Sequence, residues 1–515
     1  MTAHLPVFPV LGPLLLAGVL LLVERSDIRV RRWLGLAGCV AWIAVAAALV
    51  AEAATGSVSV YLLGDWPARL GIALAVDRLS ALMVLTTALL ALPCLLYAAD
   101  GWDARAPYFH AFFQLQLAGL FGAFLTADLF NLFVFFELLL IASYGIMLSG
   151  GRGTRMAAGM QYVAFNVGVS VLFLIAVGLL YGLTGTLNMA EMAARVAVAA
   201  EGNLGTIRAA AGVLLVVFCA KAALLPLYLW LPDTYARAPA AAAALFAVMT
   251  KLGIYCVLRV YTAVFGAEPV ADVAWPWVMP LAIALLFLAA LGTLASRSLR
   301  HMAAHLVLVS AATLFIAFAL VTPASIAAGL YYLVHSALAG GALFLLADAV
   351  LRQRPRLGDA LTAGEAVRQP MLLGVGFILI AVALVGLPPL PGFVGKLTLL
   401  AATPGAGGPT GWIFAAVLIS SLAVMVAMAR SGSQLFWKRD AAVEVAETPD
   451  AADAAPARGV HVAAVALLVA MNLALSVAAE PVLTYTRAAG EQLLAPQPYL
   501  DGVRGALPQR EGGDE

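Results

Sequence analysis

Five polar side chains stand where an apolar sequence has no ordinary use for them. Glu137 interrupts LFVFFELLL, Lys221 interrupts VFCAKAALL, Lys251 interrupts AVMTKLGIY, Lys396 interrupts GFVGKLTLL, and His335 lies in YYLVHSALA. A lone lysine or acid at mid-bilayer costs roughly 2.5–3.5 kcal/mol on insertion scales. Four such groups must therefore face one another, a bundle interior, or water. Burial disfavours the charged form of both types, which suits a group that alternately takes and releases a proton. The set reads as a proton relay. A static alternative competes: Glu137 and Lys221 could be an ion pair that fixes helix packing, and lysines near span ends can snorkel. Lys251 resists it, because no charged residue lies within seven positions on either side. His335 reads equally well as a hydrogen-bonded buried histidine. Arg259, about two turns beyond Lys251, reads as a snorkelling residue. Asp77 and Asp128 read as helix starts.

The chain that must position these groups has 515 residues, 63% hydrophobic and 11% charged, with a formal net charge of +1. A soluble chain carries about a quarter charged residues. Here the apolar residues come in runs of about 20, enough to cross roughly 30 Å of hydrocarbon. The fold class is an all-α membrane protein of about 14 transmembrane helices. The first, from Leu5 to Val23, lacks the leading basic residues and cleavage site of a signal peptide and reads as a retained span. Two spans are interrupted. The seventh meets Pro226 and then Pro232; the twelfth contains GLPPLPG, with Pro388, Pro389 and Pro391. Proline removes a donor and clashes one turn back, so both helices should break. An unbroken helix over 371–401 would also be about 46 Å long, too long for one straight crossing. Freed backbone groups at membrane depth survive only inside protein or beside water, and paired breaks point to a transporter site. The chain thus divides into spans 1–3 (residues 1–107), a five-helix repeat with one broken helix (108–262), and an inverted copy with another (275–430). The remainder (431–515) holds a loose cytoplasmic loop from Asp440 to Arg458, a last span, and a polar, partly disordered tail.

Loops after odd-numbered spans hold 17 of the 29 Lys and Arg residues, and the opposite loops hold 5. The basic side is cytoplasmic. Arg352 to Arg356 then lie in the cytoplasm and both termini outside, in a bacterial-type inner (plasma) membrane. The near-neutral charge gives a nucleic acid nothing to bind. Cys39, Cys94, Cys219 and Cys256 are scattered singly, unlike a zinc or iron–sulfur site, and read as small core hydrophobes. LSGGRGT at 148–154 lacks the Lys-Ser/Thr ending of a phosphate-binding loop, and no nucleophile elbow occurs. Neither metal nor cofactor is expected, and an ion gradient or a partner must supply the driving force.

Three segments carry a family resemblance: ADLFNLFVFFELLLIASY at 127–144, KAALLPLYLWLPDTYARAPAAAAALFAVMTKLGIY at 221–255, and GLPPLPGFVGK at 386–396. The chain resembles the D-type subunit of the Mrp-type multisubunit cation/proton antiporters, a group that includes a potassium-efflux, pH-adaptation branch. The likeness spans nearly the whole chain. The same superfamily holds the antiporter-like subunits of respiratory complex I and of membrane-bound hydrogenases. The resemblance implies 14 helices in two inverted repeats, each with a broken helix. It implies that Glu137 is the essential glutamate of the fifth helix and Lys221 the lysine of the broken seventh. Lys251 becomes the lysine of the eighth, His335 the histidine of the eleventh, and Lys396 the residue of the broken twelfth. Two departures stand out. RHMAAHLVLVSAA at 300–312 has Leu and Val where relatives carry polar residues, and HSALAGGALF at 335–344 lacks a lysine that many relatives have. The link between the halves is then expected to rely on water, His305 and His335. Both departures bring the chain nearer the potassium branch than the sodium one.

Three functions compete. The first is antiport of a monovalent cation, Na+ or K+, against protons, as one subunit among others of an antiporter complex in the lipid bilayer. The second is an antiporter-like proton pump driven by redox subunits. The third is a scaffold that transports nothing, against which the mid-span charges count.

Overall fold

The structure, a computed structural model, describes residues 2–151, 153–406, 409–438 and 457–508. The expected loop from Asp440 to Arg458 lies almost wholly outside the described residues. Two helices open the chain, α1 (Phe8–Leu22) and α2 (Ile28–Ala54), and the strands β1 (Ser59–Leu62) and β2 (Ala73–Val76) pair as an antiparallel hairpin. There follow α3 (Arg78–Ala98), the short α4 (Trp102–Arg105), α5 (Phe109–Leu125), α6 (Leu129–Leu148), α7 (Thr154–Thr184) and α8 (Met189–Ala197). Next come α9 (Glu201–Lys221), α10 (Trp230–Arg237), α11 (Ala240–Ala263), α12 (Trp275–Ala295), α13 (Leu299–Ala319) and α14 (Pro323–Gln353). The chain closes with α15 (Pro370–Val385), α16 (Pro391–Ala402), α17 (Thr410–Gly432), α18 (Gly459–Val477), α19 (Ala479–Leu494) and α20 (Gln497–Arg504).

Twelve helices among the described residues are long and apolar enough to cross a membrane; α5 and the α15–α16 pair are shorter apolar helices. Counting the pair as one broken crossing gives the expected fourteen. Among the described residues the hairpin is the one departure from an all-helical chain that the apolar periodicity did not signal. The spans start where their sequences supply caps. Asp77 and Ser80 exchange hydrogen bonds at the start of α3, and Thr322 and Ser325 do the same at α14, which Pro323 opens. Such side chains satisfy amide donors that have no partner within the helix.

Burial divides the spans into two kinds. The most apolar window of α11 is wholly buried and that of α14 is 94% buried, against 39% for α7. Val167, Val171, Leu174 and Leu179 on α7 face outward, as a lipid-facing surface demands. The centre is therefore α11, α13 and α14. The two halves repeat a joint. Leu129 N donates to Leu187 O at 2.9 Å, tying the start of α6 to the segment after α7. Leu299 N donates to Asp359 O at 2.9 Å, tying the start of α13 to the segment after α14.

Two expectations need correcting. Arg259 does not snorkel: it is 3% exposed and its Nη2 lies 2.6 Å from Asp77 Oδ1. A carboxylate held at the end of α3 by its own cap is a nearer solution than solvent. The tail is not loose over its described part. α19 packs along α14, and Tyr499 on α20 lays its ring 4.7 Å from the Arg259 guanidinium.

Candidate functional site

The first helix break follows Lys221, the last residue of α9. Residues 222–229 leave the helix, around Pro226, and the chain re-enters it at Trp230. The open carbonyls of α9 are satisfied locally. Phe218 O accepts from Ala222 N at 2.9 Å, Cys219 O from Leu224 N at 2.8 Å, and Ala220 O from the Trp230 indole N–H at 3.1 Å. A wrong-way helix end in lipid is thus avoided. Lys221 itself is buried, with Nζ 5.2 Å from the Phe136 ring and donating to Ser170 Oγ at 3.2 Å. The Ser170 hydroxyl in turn donates to Glu137 Oε1. Glu137 and Lys221 are therefore joined through one hydroxyl rather than as a direct ion pair. Ser170 reaches both because α7 runs beside α6 and α9.

Lys251 is fully buried in α11 and donates to Ser310 Oγ on α13 at 3.1 Å. Its helix presses on the first break. A Cβ on Gly253 would lie 2.7 Å from Ala222 N and 2.9 Å from Phe218 O, so only glycine permits that approach. Across the centre, His335 on α14 is also fully buried, with Nδ1 2.9 Å from Asn472 Oδ1 on α18. It lies within electrostatic reach of both Lys251 and Lys396.

The second break covers residues 386–390, between α15 and α16. Gly386 takes φ +85° there, and Pro388 and Pro389 follow, before Pro391 opens α16 at a position where its missing N–H costs nothing. Lys396 folds back over the break. Its Nζ donates to Val385 O at 2.8 Å, approaches Leu384 O at 3.5 Å, and reaches Ser421 Oγ on α17 at 3.0 Å. An ammonium group at the open carbonyl end of a helix meets both its lone pairs and its dipole.

Residues 126–423 match the family described as NADH:quinone oxidoreductase/Mrp antiporter, TM. The chain belongs to that family. It is 38% identical over 98% of its length to the probable K+/H+ antiporter D subunit of Rhizobium meliloti (strain 1021), of which 98% is covered. It is 36% identical over 96% of its length to the Na+/H+ antiporter D subunit of Bacillus subtilis (strain 168), again with 98% of that protein covered. A chain of the Mrp complex from Dietzia sp. DQ12-45-1b superposes with a TM-score of 0.86 at 29% identity, covering 98% of this chain and 99% of that one.

In this member of the Mrp antiporter family the predicted residues fall into three groups: Glu137 with Lys221, Lys251 at the centre, and His335 near Lys396. Four partners escaped the sequence reading: Ser170, Ser310, Ser421 and Asn472. Each lysine donates to one of the serines. Asn472 carried a legible signal, as an amide within the last apolar span. His305 does not join the centre. Its Nδ1 contacts His301 O at 2.9 Å and Ser296 Oγ at 3.3 Å, near the start of α13. Ser310, inside the stretch read as apolar, is the α13 residue that meets Lys251. Asp128 accepts from Asn131 N at 2.7 Å, which is a helix-start contact.

Proposed function

We propose that this chain is the proton-translocating subunit of a multisubunit monovalent cation/proton antiporter, with Glu137, Lys221, Lys251, His335 and Lys396 as its relay. The observation that carries the relay is the Glu137–Ser170–Lys221 chain beside a broken helix. A hydroxyl that donates to a carboxylate while accepting from an ammonium can pass a proton between them by reversing its own O–H. Names of full-length relatives, which specify K+ in one case and Na+ in the other, support the antiport reading and an assembly with further subunits. The family description, which couples antiporters to NADH:quinone oxidoreductase, favours a redox-driven pump as the second reading.

The test uses the complex purified from its host and reconstituted in liposomes. K+ or Na+ added to one side should move protons without any electron donor, and the single subunit alone should move none. Dependence on a reductant, with flavin or iron–sulfur subunits co-purifying, would install the redox pump instead. The same reading puts both termini outside, since the basic loops are cytoplasmic. Arg354 is a poor reporter: it is buried and its guanidinium donates to Ala360 O, Thr362 O and Glu365 O. A cysteine at the exposed Arg356 should resist an impermeant label on intact cells, and strong labelling would reverse the orientation.

A further inference from the structure

The hydrogen bond between His335 and Asn472 fixes which ring nitrogen can accept a proton. Asn472 Nδ2 donates to Leu468 O at 3.1 Å, so turning the amide round would set oxygen against oxygen. Its Oδ1 therefore faces the ring, and Oδ1 can only accept. The atom opposite, Nδ1, 2.9 Å away, must carry the hydrogen. In a neutral ring that leaves Nε2 as a bare lone pair.

Among the described residues Nε2 is buried, makes no hydrogen bond of regular geometry, and lies beside Gly392 at the second helix break, near Ala383 O. A Cβ on Gly392 would lie 2.9 Å from Nε2 and would collide with Ala383 O. Only glycine therefore fits between the imidazole and that main-chain carbonyl. That carbonyl loses its regular helical partner, because Leu387 N turns to Val382 O at 3.1 Å. A proton arriving on Nε2 would find an acceptor in Ala383 O. The charges facing the ring are Lys251 from α11 and Lys396 from α16. α15 carries no charged residue. α14 itself adds Tyr332, with its ring centroid 5.6 Å away, and α18 adds the neutral Asn472.

We propose that Asn472 is a positioning residue: it holds the proton of neutral His335 on Nδ1, so that Nε2 alone takes up and hands on protons across the second break. The inference rests on the relay reading above. In the step itself Nε2 takes a proton from a hydronium or protonated water chain reaching the break, which is left as neutral water, and the ring becomes an imidazolium with Nε2–H directed at Ala383 O. The proton then leaves from the same nitrogen to a water or to a neutral Lys396 amine, and the Nδ1–H tautomer returns.

The experiment is nitrogen NMR on the intact complex in bilayers with ring-labelled histidine, the His335 signal being assigned by its loss in His335→Gln. Wild type should show neutral His335 protonated on Nδ1. Asn472→Leu should lose that tautomer preference, and cation/proton exchange should fall roughly tenfold. Asn472→Asp, which keeps an acceptor at the same place, should retain the Nδ1–H signature. A wild-type ring protonated on Nε2, or an unchanged tautomer in Asn472→Leu, overturns the proposal. So does full exchange by an Asn472→Leu complex whose tautomer has changed. Failure of the relay reading looks different, because the tautomer is read without transport. Wild-type exchange by His335→Gln would remove the handing-on step whatever the tautomer.

Discussion

The two helix breaks solve one problem from opposite ends. At the first, the lysine is the last residue of the half-helix before the break, and backbone groups with the Trp230 indole close the helix end. Lys221 is thereby left to share Ser170 with Glu137. At the second, the lysine comes from the half-helix after the break and caps α15 itself, through Val385 O and Leu384 O. No carboxylate pairs with Lys396 among the described residues. One lysine is therefore released from structural duty and coupled to an acid. The other holds its broken helix together. The same device, a cation at a helix C-terminus, thus serves two different contacts.

The largest expected effect breaks the relay itself. Arginine keeps its charge at any pH a protein meets. Lys221→Arg and Lys251→Arg should therefore assemble yet lose roughly tenfold or more of cation-induced proton movement in everted vesicles. Wild-type exchange in both would leave the lysines as packing charges. Glu137→Gln, equal in size and unable to hold a charge, should be as severe, and near-normal exchange would make that residue structural.

The next effect separates the two breaks by stability. Lys396→Met removes the donor that the α15 carbonyls use, a loss of about 1–3 kcal/mol for buried groups left unpaired. Lys221→Met should cost less, because its helix end is closed without it. Thermal unfolding of the purified complex reads the difference, and an equal or reversed order of Tm would erase the contrast. The smallest effects come from the serines. Ser170→Ala cuts the hydroxyl between Glu137 and Lys221 and should slow exchange roughly three- to tenfold, the equivalent of one hydrogen bond. Ser421→Ala should change it less than about twofold, since two carbonyls still hold Lys396. A Ser421→Ala variant slower than Ser170→Ala would contradict the assignment of roles.

The ionisable residues and the breaks were legible because lipid makes them conspicuous: a lysine or a double proline in an apolar run has few innocent explanations. The serines were not. A serine in an apolar helix is ordinarily satisfied by a carbonyl one turn back, as Ser310 Oγ is by Val307 O at 2.7 Å, so its presence carries no signal. Arg259 was misread because its partner Asp77 is 182 residues away, and local spacing favours the nearest water. The two helices of the tail were missed for a related reason. AEPVLTYTRAAGEQLL is too polar to resemble a span, yet α19 has only to cover one face of α14. The hairpin at 59–76 is short and its first strand only half buried, which leaves no run for periodicity to find.

The clamp over Arg259 also sets a timetable for synthesis. The chain emerges from the ribosome N-terminus first. Asp77 must therefore wait at the end of α3 while 182 further residues are made before Arg259 arrives. The Tyr499 ring covers the pair only once residue 499 has been translated and delivered to the same side. Early spans cannot settle into their final neighbourhood on their own, and α3 must remain accessible to late-coming helices throughout insertion. A polypeptide released before residue 499 would expose an ion pair that is otherwise covered. Such a molecule is what membrane quality control is built to find.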